Sequence, residues 1–96
     1  MISIIIPTLN EERGISKILS EIPDSINNEK VEIIVTDSDS TDNTRKVAKK
    51  LGAKVINIKK RGKWLAVKKG MSESRGDKLV FIDSDGEHNP KYIPFA

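Results

Sequence analysis

The chain of 96 residues is predicted to be a single α/β domain with a Rossmann-like, mainly parallel sheet and helices on both faces. Two observations predict this class. Four short runs of aliphatic residues alternate with three segments whose apolar residues recur at helical spacing. Each intervening segment is long enough for a crossover helix, and right-handed crossovers place ligands outside the carboxyl ends of the strands.

The first strand and helix are predicted from residues 2–22. Residues 2–6 form a β-branched run that Pro7 is expected to end. Asn10 is predicted to cap the helix, because its side chain suits a helix start and two glutamates follow it. Apolar residues continue at helical spacing until Pro23.

The next pair of elements is separated by a polar turn. Residues 31–35 predict the second strand, and residues 37–44 predict the turn, in which at least one side chain is expected to cap a helix. The second helix carries Val47, Ala48 and Leu51, and Gly52 is placed to terminate it.

The remaining elements follow the same alternation. Residues 53–58 predict the third strand, residues 63–74 the third helix and residues 78–82 the fourth strand. Trp64 is predicted to pack in the interior. Pro90 is predicted to open a short helical turn near the end of the chain.

Composition limits the kinds of site. The content of 36% hydrophobic and 32% charged residues is typical of a globular protein. The absence of cysteine excludes disulfides and thiolate metal sites, and a lone His88 excludes a histidine-rich one. Any metal is therefore expected to be a hard cation held by oxygen. The short apolar run at the N-terminus and the lack of a basic leader favour a cytoplasmic location.

Charge is distributed unevenly along the chain. Residues 45–78 contain 13 Lys and Arg residues against two acidic ones, whereas the rest of the chain is acidic. Such a basic stretch suits phosphates, nucleic acid or acidic lipid headgroups.

Polar residues follow each predicted strand, in residues 7–11, 37–42, 61–63 and 83–85. The predicted fold brings these loops to one edge of the sheet. Acidic loops beside a basic loop suit a diphosphate bridged by a divalent cation, with Lys or Arg taking the remaining charge. Asp83 and Asp85 follow a buried strand, where two carboxylates can serve a sugar hydroxyl and a metal.

The same loops resemble motifs of glycosyltransferase family 2 with the GT-A fold. Residues 3–12, SIIIPTLNEE, are similar to the opening motif S-[IV]-[IV]-I-P-[TA]-[YL]-N-E-E, and residues 35–44, VTDSDSTDNT, to V-D-[DS]-G-S-T-D-G-T. Residues 61–63, RGK, resemble the loop N-x-G-K-G, and residues 81–90, FIDSDGEHNP, resemble F-x-D-[AS]-D-x-[QE]-H-x-P. The last form is most similar to the polyprenol-phosphate (dolichol-phosphate) mannosyl- and glucosyltransferases.

The resemblance implies an inverting, metal-dependent transfer of sugar from a UDP- or GDP-sugar to an acceptor such as a polyprenyl phosphate. Asp37 would contact the uracil or guanine edge, and Mg²⁺ or Mn²⁺ would be held by Asp85 together with Asp83. The nucleotide-sugar-binding residues that it implies are Pro7, Thr8, Asn10, Glu11, Asp37, Ser38, Lys63, Asp83 and Ser84.

Three departures from the family pattern bear on these expectations. Asp39 and Trp64 stand where the family has glycine, and the chain stops at Ala96. The acceptor half and any general base are therefore expected beyond Ala96, so that residues 1–96 form one nucleotide-sugar-binding domain, an incomplete GT-A domain that is inactive by itself. An uncovered surface predicts a homo-oligomer, and peripheral membrane contact at the cytoplasmic face fits a lipid acceptor.

Two other functions compete with this one. A nucleic-acid-binding module would use the basic stretch, but it does not explain the acidic loops, and aromatic residues for base stacking are scarce. No nucleic-acid partner is therefore expected. Another nucleotide-binding domain, such as a nucleotidyltransferase, would usually have a Gly-rich phosphate loop after the first strand, where residues 7–10 read PTLN.

Overall fold

The computed structural model describes residues 1–60, 62–83 and 91–94, with the backbone alone for Lys63 and residues 91–94. Its strands are β1 Ile2–Thr8, β2 Ser25–Ile26, β3 Glu29–Asp37, β4 Lys54–Asn57, β5 Lys78–Phe81 and β6 Lys91–Pro94. Its helices are α1 Glu12–Glu21, α2 Thr44–Lys50 and α3 Lys63–Glu73. The four predicted strands and three predicted crossover helices form within a few residues of the expected bounds.

The central sheet confirms the predicted α/β class. Its parallel strands lie in the order β4, β3, β1 and β5, so the chain builds outward from β1 to one side and then crosses back to the other. The order in which successive strands are added therefore reverses between β1 and β5, and the carboxyl ends of these two strands form the reversal point. Open α/β sheets bind ligands at such a point.

Helices cover both faces, as predicted. The side chains of Ile4 and Ile6 pack with Ile15, Ile18 and Ala48 in a core that α1 and α2 cover. On the opposite face, α3 contacts β1 and β3. The division follows from the alternation of side chains along β1, in which Ile5 points away from Ile4 and Ile6.

Two expectations about strands were wrong. Residues 91–94 are not helical but form β6, which pairs antiparallel with β5; Pro90 itself lies outside the described residues. Pro7 does not end β1 but lies within it, paired in register with Thr36 of β3. The pairing of β1 with β5 ends at Ile5. Alternate residues of a strand form hydrogen bonds to neighbours on opposite sides, so the nitrogen of Pro7 faces β5. Because that pairing has already ended, the missing N–H of Pro7 removes no hydrogen bond from the sheet.

A short hairpin was not predicted. β2 pairs antiparallel with the start of β3, and Asn27 and Asn28, which connect them, both have positive φ. Asparagine tolerates this left-handed conformation, which two-residue hairpin turns require. The Asn-Asn pair was therefore the available signal.

The buried hydroxyl of Thr36 leads to a testable prediction about stability. This hydroxyl is buried under α3 and has no hydrogen-bond partner among the residues that the structure describes. Because a buried unpartnered hydroxyl is destabilising and valine has nearly the same shape, Thr36→Val is expected to raise the free energy of unfolding by about 1 kcal/mol. Urea denaturation measures this, and an unchanged or lower midpoint would contradict it. Thr8→Val is the matched control and should be destabilising, because the Thr8 hydroxyl donates to Asp37.

Candidate active site

The carboxyl ends of β1 and β3 meet at Thr8 and Asp37, which are paired in register. The Asp37 carboxylate is 0% exposed and accepts four hydrogen bonds. Oδ1 accepts from the hydroxyls of Thr8 and Ser40, each at 2.6 Å. Oδ2 accepts from the Ser40 backbone N–H at 2.8 Å and from the Arg45 guanidinium at 2.9 Å. A charged group can remain in the interior here because every part of it is paired.

This environment bears on the implied contact between Asp37 and a nucleobase. A carboxylate offers about four lone-pair sites, and all of those of Asp37 are occupied within the chain. A base edge could reach it only by displacing one of the four donors. In this structure Asp37 acts as the anchor of the loop formed by residues 38–42, and its contact with a base stays a prediction.

Arg45 joins the site although sequence reasoning did not identify it. One guanidinium nitrogen bonds to Asp37 and lies 3.2 Å from the side-chain oxygen of Asn57, at the end of β4. The Arg45 side chain is 35% exposed, so its guanidinium pairs with the buried carboxylate and also presents positive charge at the surface. The available signal was an arginine in the first turn of the helix after the acidic loop, which places its side chain over the strand end.

The backbone conformation of Asp39 explains why the family has glycine at this position. Its φ is +58°, in the left-handed region that glycine adopts freely and that aspartate tolerates better than most residues. Its carboxylate accepts a hydrogen bond from Asn57 and lies 3.8 Å from Arg45. The turn therefore retains the glycine-like backbone, and the extra side chain is held by two neighbours.

Asn10 does not cap α1, contrary to the prediction. Its φ is +52°, and its side-chain oxygen turns toward the neighbouring loop, where it accepts from the backbone N–H groups of Thr41 and Asp42. The Asn10 N–H in turn donates to the Ser40 hydroxyl at 2.8 Å. Asn10 thus ties the β1–α1 loop to the β3–α2 loop.

The first N–H groups of α1 are instead capped from the other loop. Glu11 N donates to the Thr44 hydroxyl at 3.0 Å, and Glu12 N donates to the Asp42 carboxylate at 3.3 Å. Asp42 also accepts the backbone N–H of Thr44, the first residue of α2, at 2.9 Å, whereas Asn43 at the N-cap position of α2 makes no side-chain capping hydrogen bond. A residue of this turn thus bonds to the start of both helices, although not from an N-cap position. Burial raises the pKa of Asp42, but hydrogen bonds from Thr44 and Glu12 outweigh it, so that its pKa lies below the ordinary value. The carboxylate therefore stays ionised and suits the positive ends of two helices.

Other residues implied by the family motifs differ in accessibility. Asn10 is exposed, Pro7 and Glu11 are half-buried, and Thr8 and Ser38 are buried. Ser38 donates its N–H to the Thr8 carbonyl at 2.9 Å, which extends the pairing of β1 and β3 beyond the strands. Asn10 and Glu11 are therefore the residues of this group whose side chains a ligand could contact without rearrangement.

Asp83 lies on the other side of β1. Ile82 donates its N–H to the Ile5 carbonyl, and Asp83 is the next residue. Since neighbouring strands are separated by about 4.8 Å, the backbones that carry Asp37 and Asp83 are about 10 Å apart across β1. Asp83 is half-buried.

Part of the predicted site cannot be placed in the same way. Ser84 and Asp85 lie outside the described residues, and so does the side chain of Lys63. The backbone of Lys63 begins α3. Within residues 1–60, 62–83 and 91–94, no group of three or more His, Cys, Asp or Glu side chains is arranged to hold a metal ion. The predicted metal pair of Asp83 and Asp85 is therefore not tested.

Comparison with known proteins decides the family. The family model of glycosyl transferase family 2 matches residues 3–94. The chain belongs to glycosyl transferase family 2. The match favours the glycosyltransferase interpretation over both alternatives drawn from the sequence, because it spans all four motifs.

Several relatives within this family are informative. The dolichol-phosphate mannosyltransferase of Pyrococcus furiosus is 36% identical over 98 residues, covering 97% of this chain and 28% of that protein. The crystal structure of Mycobacterium tuberculosis glucosyl-3-phosphoglycerate synthase with Mn²⁺, UDP and glucosyl-3-phosphoglycerate superposes with a TM-score of 0.78. It is 35% identical and the match covers 88% of this chain and 33% of that one.

A third relative comes from Pyrobaculum calidifontis. The mannosyltransferase of Pyrobaculum calidifontis in complex with GDP-mannose and Mn²⁺ matches with a TM-score of 0.75 at 26% identity, over 88% of this chain and 27% of that one. This family 2 chain thus spans about a quarter to a third of the length of these three relatives, and the shared part has the GT-A fold, as predicted.

Proposed function

We propose that these residues are the donor-binding part of a metal-dependent glycosyltransferase that uses a UDP- or GDP-sugar. The observation that carries the proposal is the reversal point between β1 and β5, where Asp83 follows β5 and the loop of residues 9–11 follows β1. Relatives that share this fold are found with UDP or GDP-mannose, which supports a nucleotide at the same edge.

A divalent cation fits the residues available at this edge. Asp83 and Asp85 offer carboxylate oxygens, the ligands that Mg²⁺ and Mn²⁺ prefer. A bound cation would supply electrostatic stabilisation of the departing nucleoside diphosphate.

The other described residues would form the donor pocket around that centre. Asp37 holds Ser40 and Arg45 in place, which fixes the shape of the loop beside β1 and leaves part of the guanidinium exposed to an anionic ligand. The exposed Asn10 and half-buried Glu11 would contact the nucleoside. Lys63, at the start of α3, would add positive charge near the phosphates.

The finer features of the reaction are part of the same proposal. Inversion requires the acceptor oxygen to attack the anomeric carbon on the face opposite the diphosphate, so that the bond to the acceptor forms as the bond to the diphosphate breaks. A polyprenyl phosphate acceptor would be ionised already and would need no general base. The cytoplasmic location and the homo-oligomer expected from the sequence stay predictions.

Isothermal titration calorimetry tests the donor site. Titrating UDP- and GDP-sugars with and without Mn²⁺ should give binding that strengthens with the metal for one of the two nucleotides. Asp85→Ala should abolish the metal-dependent part, because it removes a proposed ligand. Asp24→Ala is the matched control, since Asp24 is exposed at the opposite edge of the sheet and the same charge is lost.

Two results would count against the proposal. Binding of equal strength with and without Mn²⁺ would remove the metal from the mechanism. Equal loss in Asp24→Ala and Asp85→Ala would show that overall charge, rather than a ligand at the strand end, governs the binding.

A further inference from the structure

Helix α3 faces the sheet with its smallest residues. Ala66 is fully buried, and a Cβ placed on Gly70 would lie 2.5 Å from Cγ2 of Ile5. Ala66 and Gly70 are four residues apart and so share one face of the helix. The helix backbone therefore lies close to β1, and the contact leaves no room for a large side chain.

Three large apolar residues of α3 consequently point outward, whereas Val67 is half-buried. Trp64 is 69% exposed, and Leu65 and Met71 are also exposed. The expectation that Trp64 packs in the interior was therefore wrong, because the close approach of α3 admits only small residues. Trp64, Lys68 and Met71 are spaced four and three residues apart, so they form one stripe along the helix.

This surface is also basic. Residues 59–72 contain no acidic residue, and four lysines among them have described, exposed side chains. Lys59, Lys60 and Lys68 are exposed. Lys69 is exposed as well, and it pairs with Glu73 at 3.7 Å. We call the surface made by Lys59, Lys60, Trp64, Leu65, Lys68 and Met71 the α3 outer face.

We propose that the α3 outer face binds an anionic phospholipid surface. Exposed tryptophan and aliphatic side chains beside lysines are the combination that enters the interface of a membrane, with the apolar groups among the acyl chains and the ammonium groups at the phosphates. Nucleic acid would use the lysines but leave Leu65 and Met71 without a role. Among the residues that the structure describes, no helix is long and apolar enough to cross a bilayer.

The position of this face relates it to the donor site. α3 begins just after the carboxyl end of β4, at the edge of the sheet where β1 and β3 also end. Contact with a membrane through the start of α3 would bring that edge close to the lipid headgroups. The inference itself rests on exposure and charge, and it does not depend on donor binding.

Fluorescence of Trp64, the only tryptophan of the chain, tests the proposal directly. Mixing the chain with vesicles of phosphatidylcholine and phosphatidylglycerol should shift its emission to the blue, because the indole leaves water. Vesicles of phosphatidylcholine alone should produce little shift. The double variant Lys59→Gln/Lys60→Gln should lower the partition coefficient about 25-fold, since each basic side chain at an anionic surface contributes roughly a factor of five.

The matched control is Lys49→Gln/Lys50→Gln. It removes the same charge from exposed positions in the last turn of α2, on the other face of the sheet, and should reduce the partition coefficient less than threefold. Equal losses in the two double variants would overturn the proposal, and so would unchanged emission with anionic vesicles. A Trp64 response to a single-stranded oligonucleotide but not to vesicles would assign the face to nucleic acid instead. A blue shift that appears without vesicles as the protein is concentrated would assign it to self-association.

Discussion

Replacing Asp37 with asparagine is expected to lower the free energy of unfolding by about 3 kcal/mol, a large share of the roughly 5–15 kcal/mol typical of a domain. The amide keeps the size of the side chain but has one oxygen, whereas the carboxylate accepts four hydrogen bonds. The single amide oxygen could keep either the hydroxyls of Thr8 and Ser40 or the Ser40 N–H and Arg45, and the other pair of donors would face an NH2 group. In either orientation the charge of Arg45 would lose its anionic partner. Urea denaturation monitored by circular dichroism measures the change.

The control for this prediction is Asp39→Asn, two residues away. The Asp39 side chain is 54% exposed, and asparagine tolerates its positive φ equally well, so the expected change is below about 0.5 kcal/mol. Comparable destabilisation in both variants would mean that charge in the loop, and not the buried network, determines stability. An unchanged free energy of unfolding in Asp37→Asn would refute the role of Asp37 as the anchor of the loop.

Replacing Gly70 with valine is expected to destabilise the domain by about 3 kcal/mol. Even a single added carbon would lie 2.5 Å from Cγ2 of Ile5 and 3.3 Å from Cγ2 of Thr36. Both neighbours are fully buried and β-branched, so neither can rotate away freely. The helix would have to move off the sheet. Thermal and urea denaturation would measure the loss of stability.

Ser72→Val, on the exposed side of α3, is the control for Gly70→Val. It measures how valine affects the helix where it cannot clash with the sheet. Ser72 is exposed, so a β-branched residue there should change stability by less than about 0.5 kcal/mol. Gly70→Ala sharpens the test, because alanine would stabilise an exposed helix by about 1 kcal/mol. A stabilising effect of Gly70→Ala would show that α3 does not lie as close to β1 as the structure indicates.

Local patterns were sufficient to predict the fold. A strand buried on both faces reads as a continuous apolar run, as residues 2–6 do, and an amphipathic helix repeats its apolar positions, as residues 15, 18 and 19 do. β6 could not be found in this way. Its residues, KYIP, form a strand because the edge of β5 offers backbone partners, and only the assembled sheet supplies that edge.

The candidate site was predictable in its location but not in its internal contacts. Polar residues after Thr8, Asp37 and Phe81 had to gather at one edge once the strands were parallel. Which donor fills which lone pair depends on distances between segments far apart in the chain. Thr8 and Asp37 are 29 positions apart, and Arg45 reaches Asp37 from a different element.

The amino-acid sequence by itself determined the strand and helix order, the family and the edge of the sheet that carries the polar loops. Each depends on short-range spacing or on motifs that can be read along the chain. Tertiary structure alone decided that Asp37 is a buried anchor, that Asn10 holds a neighbouring loop and that Trp64 faces outward. Burial and pairing are properties of atoms brought together by folding, and the approach of α3 to β1 left space at Gly70 for no more than a hydrogen atom.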